Sequence, residues 1–175
     1  MSLQLQPLSL DHAEQVQILA ADPAIAASTT LPSPYPPNGA RVFIEETLEL
    51  RAKKERFIFA IMVESKLVGV CGLSECTASS ANVGYWIGKP YWGRGYATRA
   101  GEKLVAYAFS QRGFSQLHSN CLLDNRASYR VLEKIGFHLT SVEPSTIEKW
   151  PDRLLAFFVY RRLMWEVGQG GRFSA

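Results

Sequence analysis

Gly93 and Gly95, one residue apart, stand where a strand-like segment gives way to a helix-like one. A backbone without Cβ atoms lets a ligand approach closely, and a helix start offers unpaired N–H groups and about half a positive charge. Such a corner binds anions. Trp92, Gly93, Arg94, Gly95, Tyr96, Ala97 and Thr98 are therefore a candidate pyrophosphate seat, with Arg94 as an exposed ionic contact and Thr98 as a hydroxyl donor. The same glycine pair would also serve a plain turn from strand to helix. A dinucleotide fold wants a third glycine and an acid about 20 residues on, and a phosphate loop wants G-K-[ST]; the sequence has neither.

The elements around this corner can be placed from hydrophobic period and turn chemistry. Leu3 to Leu8 alternates as a strand, and Ser9 or Asp11 caps a helix to about Ala21. The Pro-rich stretch from Thr29 to Gly39 reads as a surface loop, a candidate substrate lid over residues 31–39, before a helix near Arg41 to Lys54. Phe57 to Val63 and Leu67 to Leu73 form a hairpin about Glu64-Ser65-Lys66, and Asn82 to Gly88 is a further strand running into the glycine corner. Ala97, Ala100, Gly101, Leu104, Val105 and Ala108 share one face of a helix ending near Gly113. Leu117 to Leu123 is a strand, Asp124-Asn125 caps a helix stopped by Gly136, and Phe137 to Val142 and Leu154 to Leu163 complete the strands.

Two blocks in this order resemble the GNAT N-acetyltransferases. Trp92 to Ala97 is similar to their signature [RQ]-x-x-G-x-[GA], with Trp92 in place of Arg or Gln. Asn82-Val83-Gly84-Tyr85-Trp86-Ile87, and Asn125 to Phe137 against N-x-x-S-x-x-V-L-E-K-x-G-F, resemble the ribosomal-protein N-terminal (alanine/serine) acetyltransferase branch. The resemblance implies an α/β (α+β) GNAT fold: a mixed central sheet of about six to seven strands, splayed at its centre and flanked by about four helices. It also implies acetyl-coenzyme A as cosubstrate, with backbone groups of Trp86, Ile87 and Gly88 pairing with the pantetheine arm.

Acetyl transfer needs a neutral amine, a stabilised oxyanion and a protonated leaving thiolate. Many GNAT enzymes protonate the thiolate with a Tyr four residues before the G-F glycine, where this chain has Leu132. The branch resemblance assigns that proton to Ser128 instead, whose alternative is a helix-surface or capping hydroxyl; Tyr129 is a second candidate. Asn125 orients the pantetheine, caps its helix, or does both. Glu75 is the first candidate base, with Glu143 and Glu148 as alternatives and His118 and His138 as further titratable groups. Arg99 and Ala156 depart from the branch, where Glu and Asp are common, and so bear on the acceptor.

The remaining expectations concern the whole chain. With 175 residues, 47% of them hydrophobic, it is read as one domain over residues 1–167 with a loose tail over 168–175. The net charge of +3 comes without a basic run, so no direct nucleic-acid binding is expected. Three cysteines without a C-x-x-C pair argue against disulfides and for no metal. The N-terminal residues do not form a signal peptide and no apolar run spans a bilayer, so a cytoplasmic protein with no membrane association is expected, monomer or homodimer. The partners are acetyl-coenzyme A and an amine, a protein N-terminus by preference. Alternatives are a small-molecule amine (polyamine, antibiotic or amino acid) or a catalytically silent acyl-coenzyme A sensor.

Overall fold

The computed structural model describes residues 2–170, and all statements below concern these. Seven strands form one mixed sheet in the order β1-β2-β3-β4-β5-β7-β6. They are β1 (Leu3–Pro7), β2 (Phe57–Val63), β3 (Lys66–Ser74), β4 (Ser80–Ile87), β5 (Gln116–Leu122), β6 (His138–Pro144) and β7 (Leu154–Arg161). Neighbours are antiparallel except β4 and β5. That parallel pair is registered only over Ser80–Gln116, Ala81–Leu117 and Asn82–His118. Beyond Asn82 the ladder stops and the sheet splays. The buried Ser119 hydroxyl bonds the Val83 carbonyl at 2.8 Å, so a side chain takes over where the backbone ladder ends.

Six helices flank the sheet: α1 (Ala13–Ala20), α2 (Pro23–Ala26), α3 (Gly39–Ala52), α4 (Tyr96–Ala106), α5 (Arg126–Ile135) and α6 (Arg162–Gly170). Alternation in β2 sorts the core between two faces. Phe57, Phe59 and Ile61 face Ala100, Leu104 and Phe109 of the α4 segment, while Ile58 and Ala60 pack with Val16 and Ile44 of α1 and α3. The α4 face continues through a π-helical turn at Tyr107–Gln111, where Ala108 and Phe109 stay buried, and ends at Gly113 as the sequence implies.

Four expectations shift. The sheet has seven strands, within the expected six to seven, but the helices number six where about four are expected: α2 is one turn begun by Asp22 and Pro23, too short to show a period, and α6 follows β7 directly. β7 ends at Arg161, so Arg162 and Leu163 are helical. The first three tail positions, 168–170, continue α6, and residues 171–175 lie outside the described ones. Trp150, placed by sequence in a polar connection, is 8% exposed and packs on Leu122 and Leu155.

Candidate active site

The glycine corner adopts the geometry its composition suggests. Gly93 and Gly95 have φ of +74° and +73°, the left-handed region closed to most L-residues, and a Cβ on either would project into open space. Gly95 is the N-cap of α4, and the first bond of that helix runs from the Arg99 N–H to the Gly95 carbonyl at 3.2 Å. The N–H groups of Gly95, Ala97 and Thr98 thus precede the first bond of the helical ladder, at the start of α4. A cavity of about 640 Å³ opens beside them, lined by Trp92 to Thr98, Asn125, Ser128 and the cations Arg130 and Lys134. The Trp92 indole N–H donates to the Ile87 carbonyl at 2.6 Å, tying the end of β4 to the corner. Arg94 stays exposed, its guanidinium on the Pro90 carbonyl at 3.3 Å and over the Tyr91 ring.

Strand geometry decides which backbone groups face the splay. The Gly88 N–H bonds the Val68 carbonyl at 2.8 Å, so Gly88 pairs with β3. Antiparallel strands alternate the direction of their polar groups, so Trp86 also turns its N–H and C=O to β3, while Tyr85 and Ile87 turn theirs to the gap. Of the expected backbone trio, Ile87 turns its polar groups to the gap, as Tyr85 does, whereas Trp86 and Gly88 turn theirs to β3. Trp86 lines the cavity nonetheless, whereas Gly88 is buried and does not.

A second cavity of about 590 Å³ lies across the splay, floored by Val70, Gly72, Asn82, Gly84 and Asn120 and walled by Thr30, Leu31, Phe43 and Ile147. Its carboxylates are Glu75 and Glu46, and Arg56 approaches Glu46 at 3.6 Å. Gly84 matters here because nothing lies within 4 Å of a Cβ placed on it: the strand leaves open space where a side chain would fill the cavity. Ser28, Thr29, Tyr85, Trp86 and Ser128 line both cavities. The two spaces meet there.

At that junction the Tyr85 hydroxyl lies 2.8 Å from Ser128 Oγ. The Asn125 carboxamide oxygen accepts the Ser128 N–H at 3.1 Å, which realises the N-cap and fixes the first turn of α5. Burial pushes the Tyr85 phenol up, past any neutral-pH ionisation, although its bond to Ser128 opposes the shift. Burial likewise raises the Cys121 thiol to about 11, again opposed by a bond to Ser128. Tyr85, Cys121 and Ser128 therefore form one cluster of protonated donors. In the sequence Tyr85 is only one position of a matching strand and nothing marks Cys121; pairing of β3 and β4 puts Tyr85 beside Cys71, and only the fold brings it against α5.

The other candidates separate cleanly. Glu75 is exposed, lines the second cavity and holds φ of +50° just past β3. Glu143 bonds Ser141 at 2.7 Å, and neither it nor Glu148 lines either cavity. His118 pairs with Gln116 at 3.0 Å, and His138 is exposed on the edge strand β6. Tyr129 packs edge-on to Phe158 with ring centres 5.0 Å apart, on the core side of α5. Ala156 is fully buried in β7. Among the described residues no cluster of three or more His, Cys, Asp or Glu could hold a metal, and no helix is long and apolar enough to cross a membrane.

Comparison with known proteins bears on the whole arrangement. The model of the acetyltransferase (GNAT) domain matches residues 2–138. The chain is 23% identical over 165 residues to p20 of Bacillus licheniformis, an uncharacterized N-acetyltransferase, covering 92% of each. In structure it is similar to RimL, a ribosomal L7/L12 α-N-protein acetyltransferase solved with coenzyme A, at a TM-score of 0.86 and 16% identity over 92% of this chain and 94% of that one. It is also similar to the spermidine N-acetyltransferase of Vibrio cholerae, solved with coenzyme A and spermine, at 0.80 and 15% over 92% and 96%.

Proposed function

The chain belongs to the GNAT acetyltransferase family and is an N-acetyltransferase that uses acetyl-coenzyme A; from that premise we propose that its acceptor is the N-terminal α-amine of a protein. The charge of the second cavity carries this reading. Of its two carboxylates Glu46 has Arg56 as its ionic partner, which leaves Glu75 to meet a cation. One unpaired carboxylate suits one ammonium group, whereas a polyamine presents several charges that need several acids. The strand floor, with Gly72 and Gly84 at its centre, admits an extended peptide backbone.

In this mechanism the pyrophosphate lies on the N–H groups of Gly95 to Thr98, with Trp92, Gly93 and Arg94 completing the seat and Arg130 and Lys134 supplying charge along the groove. The thioester reaches the junction, where the Ile87 N–H faces the carbonyl oxygen that becomes the oxyanion. Glu75 takes the proton that the attacking ammonium must lose; an α-amine with a reference pKa near 8 requires only a weak base. The amine nitrogen bonds the carbonyl carbon, the C–S bond breaks, and Ser128 Oγ protonates the departing thiolate. The Tyr85 hydroxyl backs Ser128 and replaces its proton, and the second proton of the attacking nitrogen, shed as the amide forms, returns to Tyr85. Asn125 holds Ser128 in place as the cap of α5.

The test is acceptor profiling with acetyl-coenzyme A against three probes: a peptide with a free N-terminus and no lysine, an N-terminally blocked peptide with lysine, and spermine. Mass spectrometry should place the acetyl group on the free α-amine, with kcat/KM at least about tenfold above the other two. Preference for spermine would return the site to the small-molecule reading, and turnover of none, with acetyl-coenzyme A bound, to the sensor.

A further inference from the structure

Ser28, Thr29, Thr30 and Leu31 form a wall of the second cavity on the loop between α2 and α3. The hydrogen bonds within this loop are local. The Thr29 hydroxyl donates to the Ile25 carbonyl at 2.7 Å, and the Ser28 and Thr29 N–H groups reach the carbonyls of Ile25 and Ala26 at 3.3 and 3.4 Å. These bonds continue the turn of α2 and do not tie the wall to the sheet.

The opposing rim is the connection between β6 and β7, and it is firmly seated. Trp150 is buried against Leu122 and Leu155, and the Ser145 N–H bonds the Arg153 carbonyl at 2.8 Å. Arg153 also holds Asp124, at the start of α5, at 2.6 Å. Ile147 of this rim lines the second cavity. From the rim the Lys149 ammonium reaches back across the mouth. Its Nζ donates to the carbonyls of Ala26 at 2.5 Å, Thr29 at 3.0 Å and Leu31 at 2.6 Å. An ammonium group has three protons, and three carbonyls more than a hundred residues away engage them.

We infer that Lys149 is a positioning residue that latches the Ser28 to Leu31 wall to the β5–β7 half of the molecule and so sets the width of the acceptor mouth. Two other ties cross the splay, Ser119 to Val83 and Tyr85 to Ser128. Both lie inside, at the floor and the junction, and neither holds the rim. The latch is independent of which amine is accepted. It predicts that the wall closes on the acceptor; Ser28 and Thr29 also line the donor cavity at the junction, but no wall residue belongs to the pyrophosphate seat at Gly93 to Thr98.

The experiment compares Lys149→Met, which keeps length and apolar stem but no donor, with Lys149→Arg, which keeps charge and donors. Lys149→Met should raise acceptor KM by about fivefold or more, leave the acetyl-coenzyme A Kd within about twofold, and be largely repaired in Lys149→Arg. A second readout needs no acceptor. Cys121, 7% exposed, lines the second cavity together with the more deeply buried Cys71, so in a Cys76→Ser background labelling by a small maleimide, assigned to Cys121 by peptide mass spectrometry, reports the mouth directly. Lys149→Met should speed that labelling by about fivefold, and this holds even if the protein N-terminal reading fails. Unchanged labelling and unchanged acceptor KM would overturn the latch. So would equal loss of both substrates with a lowered Tm that arginine does not repair.

Discussion

Ser128 faces two neighbours that hold their protons more tightly than usual, the Tyr85 phenol and the Cys121 thiol, both raised by burial. A leaving thiolate that takes the serine proton is backed by the Tyr85 phenol, which burial keeps protonated and which regains its proton as the amide nitrogen sheds one. Ser128→Ala should lower kcat by roughly tenfold to a hundredfold and leave the acetyl-coenzyme A Kd nearly unchanged, because the seat is main-chain. Tyr85→Phe keeps the ring and removes the hydroxyl, so a smaller drop in kcat with an intact melting profile is expected. Equal kinetics in both variants and the wild type would return Ser128 to a capping hydroxyl. At Glu75 the same logic separates base from bystander: Glu75→Gln should depress kcat/KM most below about pH 8, where an α-amine still carries its proton, and least above it.

At the scale of elements, the start of α5 and the corner before α4 do different work. Asn125→Ala removes the oxygen that accepts the Ser128 N–H and should cost about 1 kcal/mol of stability, read in urea denaturation, while Asn125→Asp keeps the cap and should cost little. The corner is legible only with the Asn125 to Phe137 block behind it, because a glycine pair alone also serves a plain turn from strand to helix; the structure gives both glycines the positive φ their type allows. Hairpin, capping residues and the Gly136 stop were legible for local reasons. What sequence could not show were contacts across long separations. Tyr85 meets Ser128 only because β4 and β5 part after Asn82, and nothing local marks where a parallel ladder ends. The resemblance gives Gly88 to the pantetheine arm, and only the sheet register shows that its N–H is bonded to the Val68 carbonyl. The short α2 and the helix after β7 escaped because one lacks a period and the other has glycines in its last turn.

Across the whole molecule, two half-sheets share a short seam and enclose two spaces, one on each side of a common junction. The buried protonated groups near that junction give the fold an alkaline limit. Folding favours the neutral Cys121 thiol, raised from 9.0 to about 11, so its contribution is complete below pH 9 and lost as pH rises through about 11. Cys71 and Tyr85, also raised by burial, act in the same direction. Stability in urea should fall between pH 9 and 11, and Cys121→Ala should flatten that fall by on the order of 2 kcal/mol. A slope unchanged by the substitution would remove Cys121 from this account.

The central claim is that donor and acceptor occupy separate cavities, the donor held by backbone at Gly95 and the acceptor seated over Gly84. Both glycines face open space, so a valine at either fills one cavity and not the other. Calorimetric titration of acetyl-coenzyme A into the two variants tests this most directly. The predicted result is a loss of affinity of about a hundredfold in Gly95→Val, where the left-handed backbone is also denied, and a value within about twofold of wild type in Gly84→Val. Equal losses in both, or an intact affinity in Gly95→Val, would contradict it.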